Sequence, residues 1–183
     1  MKVLVVFESD HGQAEKVAHR LAEVVRSAGH EVEVARPSFH PEVSDFGAVL
    51  MGGSVRIGRH QKSLVEFCRL HRDALVARPN AFFSVSVSAR RRFGRGEAEV
   101  AKILSRFIAD CGWTPERLWP VAGALKYTQY PFHIRALLVL IARLTEGDTD
   151  TSRDWEYTDW AAVEAHGRDF ARQLSADARA EAA

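Results

Sequence analysis

The chain has 183 residues, with 25 Lys+Arg against 24 Asp+Glu, a formal net charge of +1 and 46% hydrophobic residues. That length suits one domain with a full core, and the composition excludes a disordered or collagen-like chain. A near-neutral balance also argues against a bulk nucleic-acid binder, which needs a strong basic surplus.

Lys2-Val3-Leu4-Val5-Val6-Phe7 is a near-continuous apolar run, the pattern of a strand buried on both faces of a parallel sheet. It runs into a short polar loop, residues 8–13. Ala14, Val17, Ala18, Leu21, Val25 and Ala28 then share one helical stripe, with Gly29 as a stop. Glu31-Val32-Glu33-Val34, closed by Pro37, reads as a second strand, and Ala48-Val49-Leu50-Met51-Gly52-Gly53 as a third. A helix carrying Leu64, Phe67, Cys68 and Leu75 follows. Phe82-Phe83-Ser84-Val85-Ser86-Val87 is the fourth strand, and Val100, Leu104, Phe107, Ile108 and Cys111 stripe the next helix. Residues 118–125 form the fifth strand. Trp160, Val163, Phe170 and Leu174 stripe the last helix, and 177–183 read as a frayed tail beyond a single domain, 1–176.

Five strands alternating with helices predict an α/β chain with a doubly wound parallel sheet. Ligands of such sheets sit at the carboxyl ends of the strands, where the strand order switches. Function is therefore expected in three loops: 8–13, 52–60 and 86–96. A phospho-accepting receiver domain would need an Asp where Met51-Gly52-Gly53 stands. No nucleophile triad and no metal-ligand spacing point to a hydrolase or a metal site. Cys68 and Cys111 are read as buried, reduced thiols. The N-terminal run is too short for a signal peptide and no stretch is long enough to span a bilayer, so a cytoplasmic location is expected.

Loop 8–13 joins a buried strand to a helix start, where backbone N–H groups and the helix dipole form an anion site. Ser9 adds a hydroxyl, Gly12 allows close approach and Gln13 offers its amide; the alternative is a plain turn with Asp10 or His11 as N-cap. Loop 52–60, Gly52-Gly53-Ser54-Val55-Arg56-Ile57-Gly58-Arg59-His60, reads as a flexible segment. It either holds a flat heteroaromatic ring or is a solvated connection.

These loops resemble those of flavodoxin-like proteins. Beyond them, Ala81-Phe82-Phe83-Ser84-Val85, Ala122-Gly123-Ala124-Leu125-Lys126-Tyr127, Gly147-Asp148-Thr149-Asp150-Thr151 and Tyr157-Thr158-Asp159-Trp160 are similar to the short bacterial protoporphyrinogen IX dehydrogenase family, which is quinone-dependent. The resemblance implies the strand order 2-1-3-4-5, helices on both faces and a helical insertion over 127–157. It implies noncovalent FMN, with the phosphate on Ser9, Asp10, His11, Gly12, Gln13 and Ala14. The ring would lie between Ser54, Val55, Arg56, Ile57 and Gly58 on one side and Ser84, Val85, Ser86, Val87, Ala89 and Arg90 on the other. The implied activity is oxidation of protoporphyrinogen IX to protoporphyrin IX, with electrons passed to menaquinone or ubiquinone. A flavodoxin-like electron carrier, or a module that has lost FMN, is the rival class.

Three departures accompany the resemblance: Ala14 stands where such loops carry a hydroxyl, Ile57 where an aromatic is usual, and Glu8 brings a carboxylate close to the phosphate loop.

Pro131 can open a helix through 132–145, with Ile134, Leu137, Leu138, Ile141 and Leu144 on one face and Arg135, Arg143 and Glu146 opposite. Such a helix either packs on the core or lies on the cytoplasmic face of the inner membrane. The run Arg90-Arg91-Arg92-Phe93-Gly94-Arg95 is a solvated loop, a nucleic-acid contact or a contact for substrate propionates, the last through Arg90, Arg91 and Arg135. Net charge hides segregation: residues 54–106 hold 12 basic and 4 acidic residues, and 146–183 hold 4 and 10. The basic segment is expected where an anionic flavin or porphyrinogen would dock.

Overall fold

The computed structural model describes residues 1–90, 96–129, 131–133, 135, 136, 139 and 149–181. Strand β1 (Lys2–Glu8) is an interior strand that pairs in parallel with β2 (Glu31–Ala35) on one side and β3 (Ala48–Arg56) on the other. Past a turn, β4 (Arg59–His60) folds back onto β3. β5 (Asn80–Ser86) pairs in parallel with β3, and β6 (Leu118–Ala122) with β5. The path β2-β1-β3-β5-β6 is the expected order once the β4 ribbon is set aside.

Alternate residues of each strand feed two cores, which explains the unbroken apolar runs. Val3, Val5 and Phe7 pack against α1 (Gln13–Ser27) and α5 (Trp160–Glu181) through Ala14, Val17, Leu21, Phe170 and Leu174. Leu4 and Val6 face the other layer, formed by α2 (Lys62–Leu70), α3 (Arg72–Val76) and α4 (Gly96–Cys111). Leu64, Phe67, Leu75, Leu104 and Phe107 fill that side.

Four boundaries differ from expectation. The third strand runs on to Arg56 instead of opening into a flexible loop, because its end is paired with β4. The helix through Leu64 and Leu75 is two helices, broken at His71, whose ring packs 4.4 Å from that of Phe67. The fifth strand stops at Ala122: Gly123 donates to Ser86 O at 2.9 Å and accepts from Tyr157 N at 3.0 Å, so the chain changes partner. β7 (Ala124–Leu125) then pairs antiparallel with β8 (Trp155–Glu156). Finally, the last helix extends through 177–181, part of the segment read as a frayed tail. Its alanine-rich sequence has high helix propensity.

Gly52 lies opposite Phe83, and a Cβ there would sit 2.2 Å from Phe83 O. Backbone in mid-sheet cannot yield to it. Gly52→Ala is expected to cost at least ~2 kcal/mol, read as a lower urea midpoint. Gly29→Ala meets no neighbour within 4 Å, so only its left-handed backbone is penalised, at about 1 kcal/mol.

Candidate functional site

The parallel register aligns Glu8 with Gly53, Ser54 with Val85 and Ser86 with Ala122, bringing the three expected loops to one edge of the sheet. The strand order reverses between β1 and β3, so the crevice belongs between loop 8–13 and the β3–β4 hairpin.

Helix α1 opens at Gln13 with Gly12 as its N-cap, in a left-handed conformation (φ 80°), and no side chain caps the helix. The plain-turn alternative required Asp10 or His11 in that role, and neither takes it. The first-turn N–H groups lack intrahelical acceptors, and the helix dipole stands behind them. Beside them Ser9 Oγ is buried without a hydrogen-bond partner. An orphan buried hydroxyl costs about 1–3 kcal/mol unless something binds it. These groups fit an oxyanion.

Other members of the loop have different tasks. The Gln13 amide donates to Thr158 Oγ1 at 2.8 Å, and Thr158 donates to Ala122 O at 2.6 Å. The donor expected to face an anion thus ties α1 to the segment after β8. Ala14 is fully buried in the apolar core, leaving only its N–H for a ligand. Glu8 accepts from Arg36 Nη1 at 3.3 Å and from Ser63 Oγ at 2.9 Å, and also from the Ser9 backbone N–H at 3.3 Å, so its charge is partly compensated while it takes up the first N–H of the loop.

The hairpin reverses in two residues, Ile57 (φ 49°) and Gly58 (φ 69°), both left-handed, as a type I′ turn demands. Glycine accepts this, but a β-branched residue pays roughly 1–2 kcal/mol. Ile57 is also 92% exposed, so packing returns nothing. Strain and exposure coincide at the residue expected beside a ring. Ser54 Oγ accepts from Asp10 N at 3.3 Å and from Gln61 Nε2 at 2.7 Å, fastening the hairpin to loop 8–13. At the hairpin base His60, 8% exposed, lies with Nε2 3.1 Å from Ser84 Oγ. Burial pushes its pKa down from 6.5 to about 4.

After β5, Val87–Ala89 form a single 3-10 turn, with Ser86 Oγ accepting from Ala89 N at 3.2 Å. Val87 and Ala89 are half-buried at the rim, whereas the Ser84 and Val85 side chains are interior. Arg90 is 7% exposed, its guanidinium 3.6 Å from the Tyr157 ring centroid, rather than solvated. Arg91 and the rest of 91–95 lie outside the described residues, as do Ile134, Leu137, Leu138, Ile141, Arg143, Leu144 and Glu146. Arg135 is half-buried in a helical turn, its N–H donating to Pro131 O at 2.9 Å.

The basic segment does not converge on this edge as a whole. Arg56 and Arg59 are exposed on the hairpin. Arg69 and Arg78 instead donate to the carbonyls of Asp110, Phe46 and Ala74 near the far ends of α2 and α3, because α2 runs back along the sheet. Cys68 and Cys111 are free and buried, as expected. In the α2–α4 layer Cys68 Sγ donates to Met51 Sδ and Cys111 Sγ to Trp113 O, each at 3.5 Å. Burial pushes the Cys68 thiol up, and the neighbouring Cys68 draws the Cys111 pKa down to about 7. Among the described residues no cluster could hold a metal, and no helix is long and apolar enough to cross a membrane.

The sequence profile of the flavodoxin domain matches residues 4–152. The chain is 31% identical over 177 residues to the protoporphyrinogen IX dehydrogenase [quinone] of Escherichia coli K12, covering 96% of this chain and 95% of that protein. The protein of the same name from Leishmania major is 30% identical over 174 residues, covering 93% of this chain and 74% of the other. In three dimensions, oxidised flavodoxin from Bacillus cereus superimposes with a TM-score of 0.53 at 18% identity, over 94% of this chain and 98% of that one.

Two outcomes follow from the hairpin. Between pH 6.5 and about 4 the unfolded chain protonates His60 while the folded chain does not, so stability falls as pH is lowered through that interval. The loss amounts to on the order of 3 kcal/mol at its lower end. Urea unfolding across pH 7–4 should show this slope in the native chain and a shallower one in His60→Phe. Ile57→Asn places a residue tolerant of the left-handed region at the tip, and should stabilise the chain by about 0.5–1 kcal/mol. In thermal unfolding that is a Tm higher by about 1–4 °C.

Proposed function

The chain belongs to the flavodoxin domain family, and from that premise we propose that it oxidises protoporphyrinogen IX to protoporphyrin IX with FMN as cofactor and a quinone as final acceptor. The observation that carries the activity is full-length likeness to the Escherichia coli dehydrogenase, including the 124–156 segment around the β7–β8 ribbon. The open α1 N-terminus and the unpartnered Ser9 hydroxyl support the cofactor.

In this reading the backbone N–H groups of residues 11–14 and the Ser9 hydroxyl bind the FMN phosphate, the Ser9 and Asp10 N–H groups being taken by Glu8 and Ser54. Asp10, His11 and Gly12 shape the turn, and Gln13 holds it to Thr158. The ring lies between the Ser54, Val55, Arg56, Ile57 and Gly58 hairpin and the 84–90 segment, with Val87 and Ala89 at the rim. Bound FMN supplies two-electron acceptor chemistry. Six hydrogens leave the porphyrinogen in three pairs, and three quinones leave as quinols. Arg91 and Arg135 are the side chains proposed for the substrate's two propionates, since guanidinium pairs with carboxylate through two parallel hydrogen bonds. Arg90, stacked on Tyr157, is held at the end of the described 84–90 segment. Because quinones are lipid-borne, the reading includes a cytoplasmic protein touching the inner membrane surface with its 127–157 insertion.

Anaerobic incubation with FMN, protoporphyrinogen IX and a menaquinone analogue should produce porphyrin fluorescence. FMN binding without that product favours an electron carrier, and no FMN binding overturns the reading. Ser9→Ala should weaken FMN binding about 10- to 100-fold, the worth of one hydrogen bond to a charged group, measured by quenching of FMN fluorescence.

A further inference from the structure

His60 has no part in the proposed chemistry, yet it is the most enclosed ionisable side chain on the hairpin. Its imidazole lies edge-on to Phe82, with centroids 5.1 Å apart, and to Phe107 at 4.9 Å. Its Nδ1 is buried without a hydrogen-bond partner. An aromatic hydrocarbon ring would fill this apolar site without leaving a polar nitrogen stranded, so packing does not account for histidine here. What the imidazole adds is one hydrogen bond, from the β4 ribbon to Ser84 on β5, 24 residues downstream.

The hairpin needs such an anchor. Its ladder is two residue pairs, Val55 with His60 and Arg56 with Arg59, and so short a ribbon is marginal alone. Its tip carries the left-handed Ile57, whose strain would be relieved by fraying. The Gln61–Ser54 bond secures the strand root, but His60 itself sits inside the ladder, opposite Val55.

We propose that His60 is a positioning residue: through Ser84 it holds the hairpin tip in the conformation that meets the flavin ring. This rests on the FMN reading above. It also gives Ser84, whose side chain faces the interior, a role as the anchor point beneath the ring.

The test uses the full chain with His60→Phe, Ser84→Ala, the double variant and His60→Gln, which keeps a hydrogen-bonding group. Amide hydrogen exchange is followed without added flavin, and FMN affinity by fluorescence quenching. Loss of one neutral hydrogen bond is expected to speed exchange at residues 55–60 by about 5- to 10-fold, with β1 and α1 unchanged, and to weaken FMN binding by a similar factor. The double variant should be no worse than either single one, because both remove the same bond. His60→Gln should recover part of both effects. Unchanged hairpin exchange, additive single effects, or a loosened hairpin with undiminished FMN affinity would each overturn the proposal. If His60→Phe does not fold, Ser84→Ala decides alone. A native chain that binds no FMN overturns the functional reading instead, and is seen before any variant is compared.

Discussion

Everything at the candidate site depends on β3 passing between β1 and β5 at very close range just before the sheet ends. Gly52 and Gly53 permit this: a Cβ on Gly52 would strike Phe83 O, and one on Gly53 would lie 2.9 Å from Leu64 Cδ2 and 3.1 Å from Glu8 O. With both glycines in place, the next residue, Ser54, arrives beside Asp10, and α2 can close over the strand. A larger residue at Gly52 would part β3 from β5, and one at Gly53 would press on β1 and α2 where strand order reverses, so the crevice would lose its shape.

From that junction, one hydroxyl links what would otherwise be two independent loops. Ser54 Oγ accepts from the Asp10 backbone in the anion-type loop and from Gln61 beyond the hairpin. A displacement of either loop is therefore felt by the other. Gln13, Thr158 and Ala122 make a second tie, from α1 through the segment after β8 to the end of β6. The site is thus held from three sides by hydrogen bonds that span 44, 7 and 145 residues of sequence.

Those separations explain what could be read from the sequence. The two-sided burial of β1 and the stripe of α1 follow from local apolar patterning, whereas the strand order comes only with the family resemblance; its switch falls at the edge where the three loops meet. The hairpin escapes because Ile57-Gly58 lacks the Asn-Gly or Asp-Gly pair that marks a type I′ turn. The break at Gly123 is set by its approach to Ser86 and Tyr157, which no window of sequence contains. Gln13 looks like a ligand donor until Thr158 arrives from the other end of the chain. Arg90 looks solvated until Tyr157 covers it.

The charge pattern shows most sharply why composition along a segment is a poor guide to potential at a site. The 54–106 surplus is divided between opposite edges of the sheet, because α2 reverses direction and carries Arg69 away from the crevice. There Arg69 and Arg78 are absorbed as donors to backbone carbonyls. Around the α1 N-terminus the described cations are already engaged: Arg36 with Glu8 and Glu15, and Lys16 with Glu156. An oxyanion proposed at this loop would therefore be met by the oriented N–H groups of residues 11–14 and a hydroxyl rather than by opposite charge. Such dipoles are fixed by the fold and act at hydrogen-bond range, so they select for geometry where a cluster of arginines would attract any anion. The hairpin arginines, Arg56 and Arg59, are then left as exposed cations of this edge among the described residues, set apart from the α1 N-terminus.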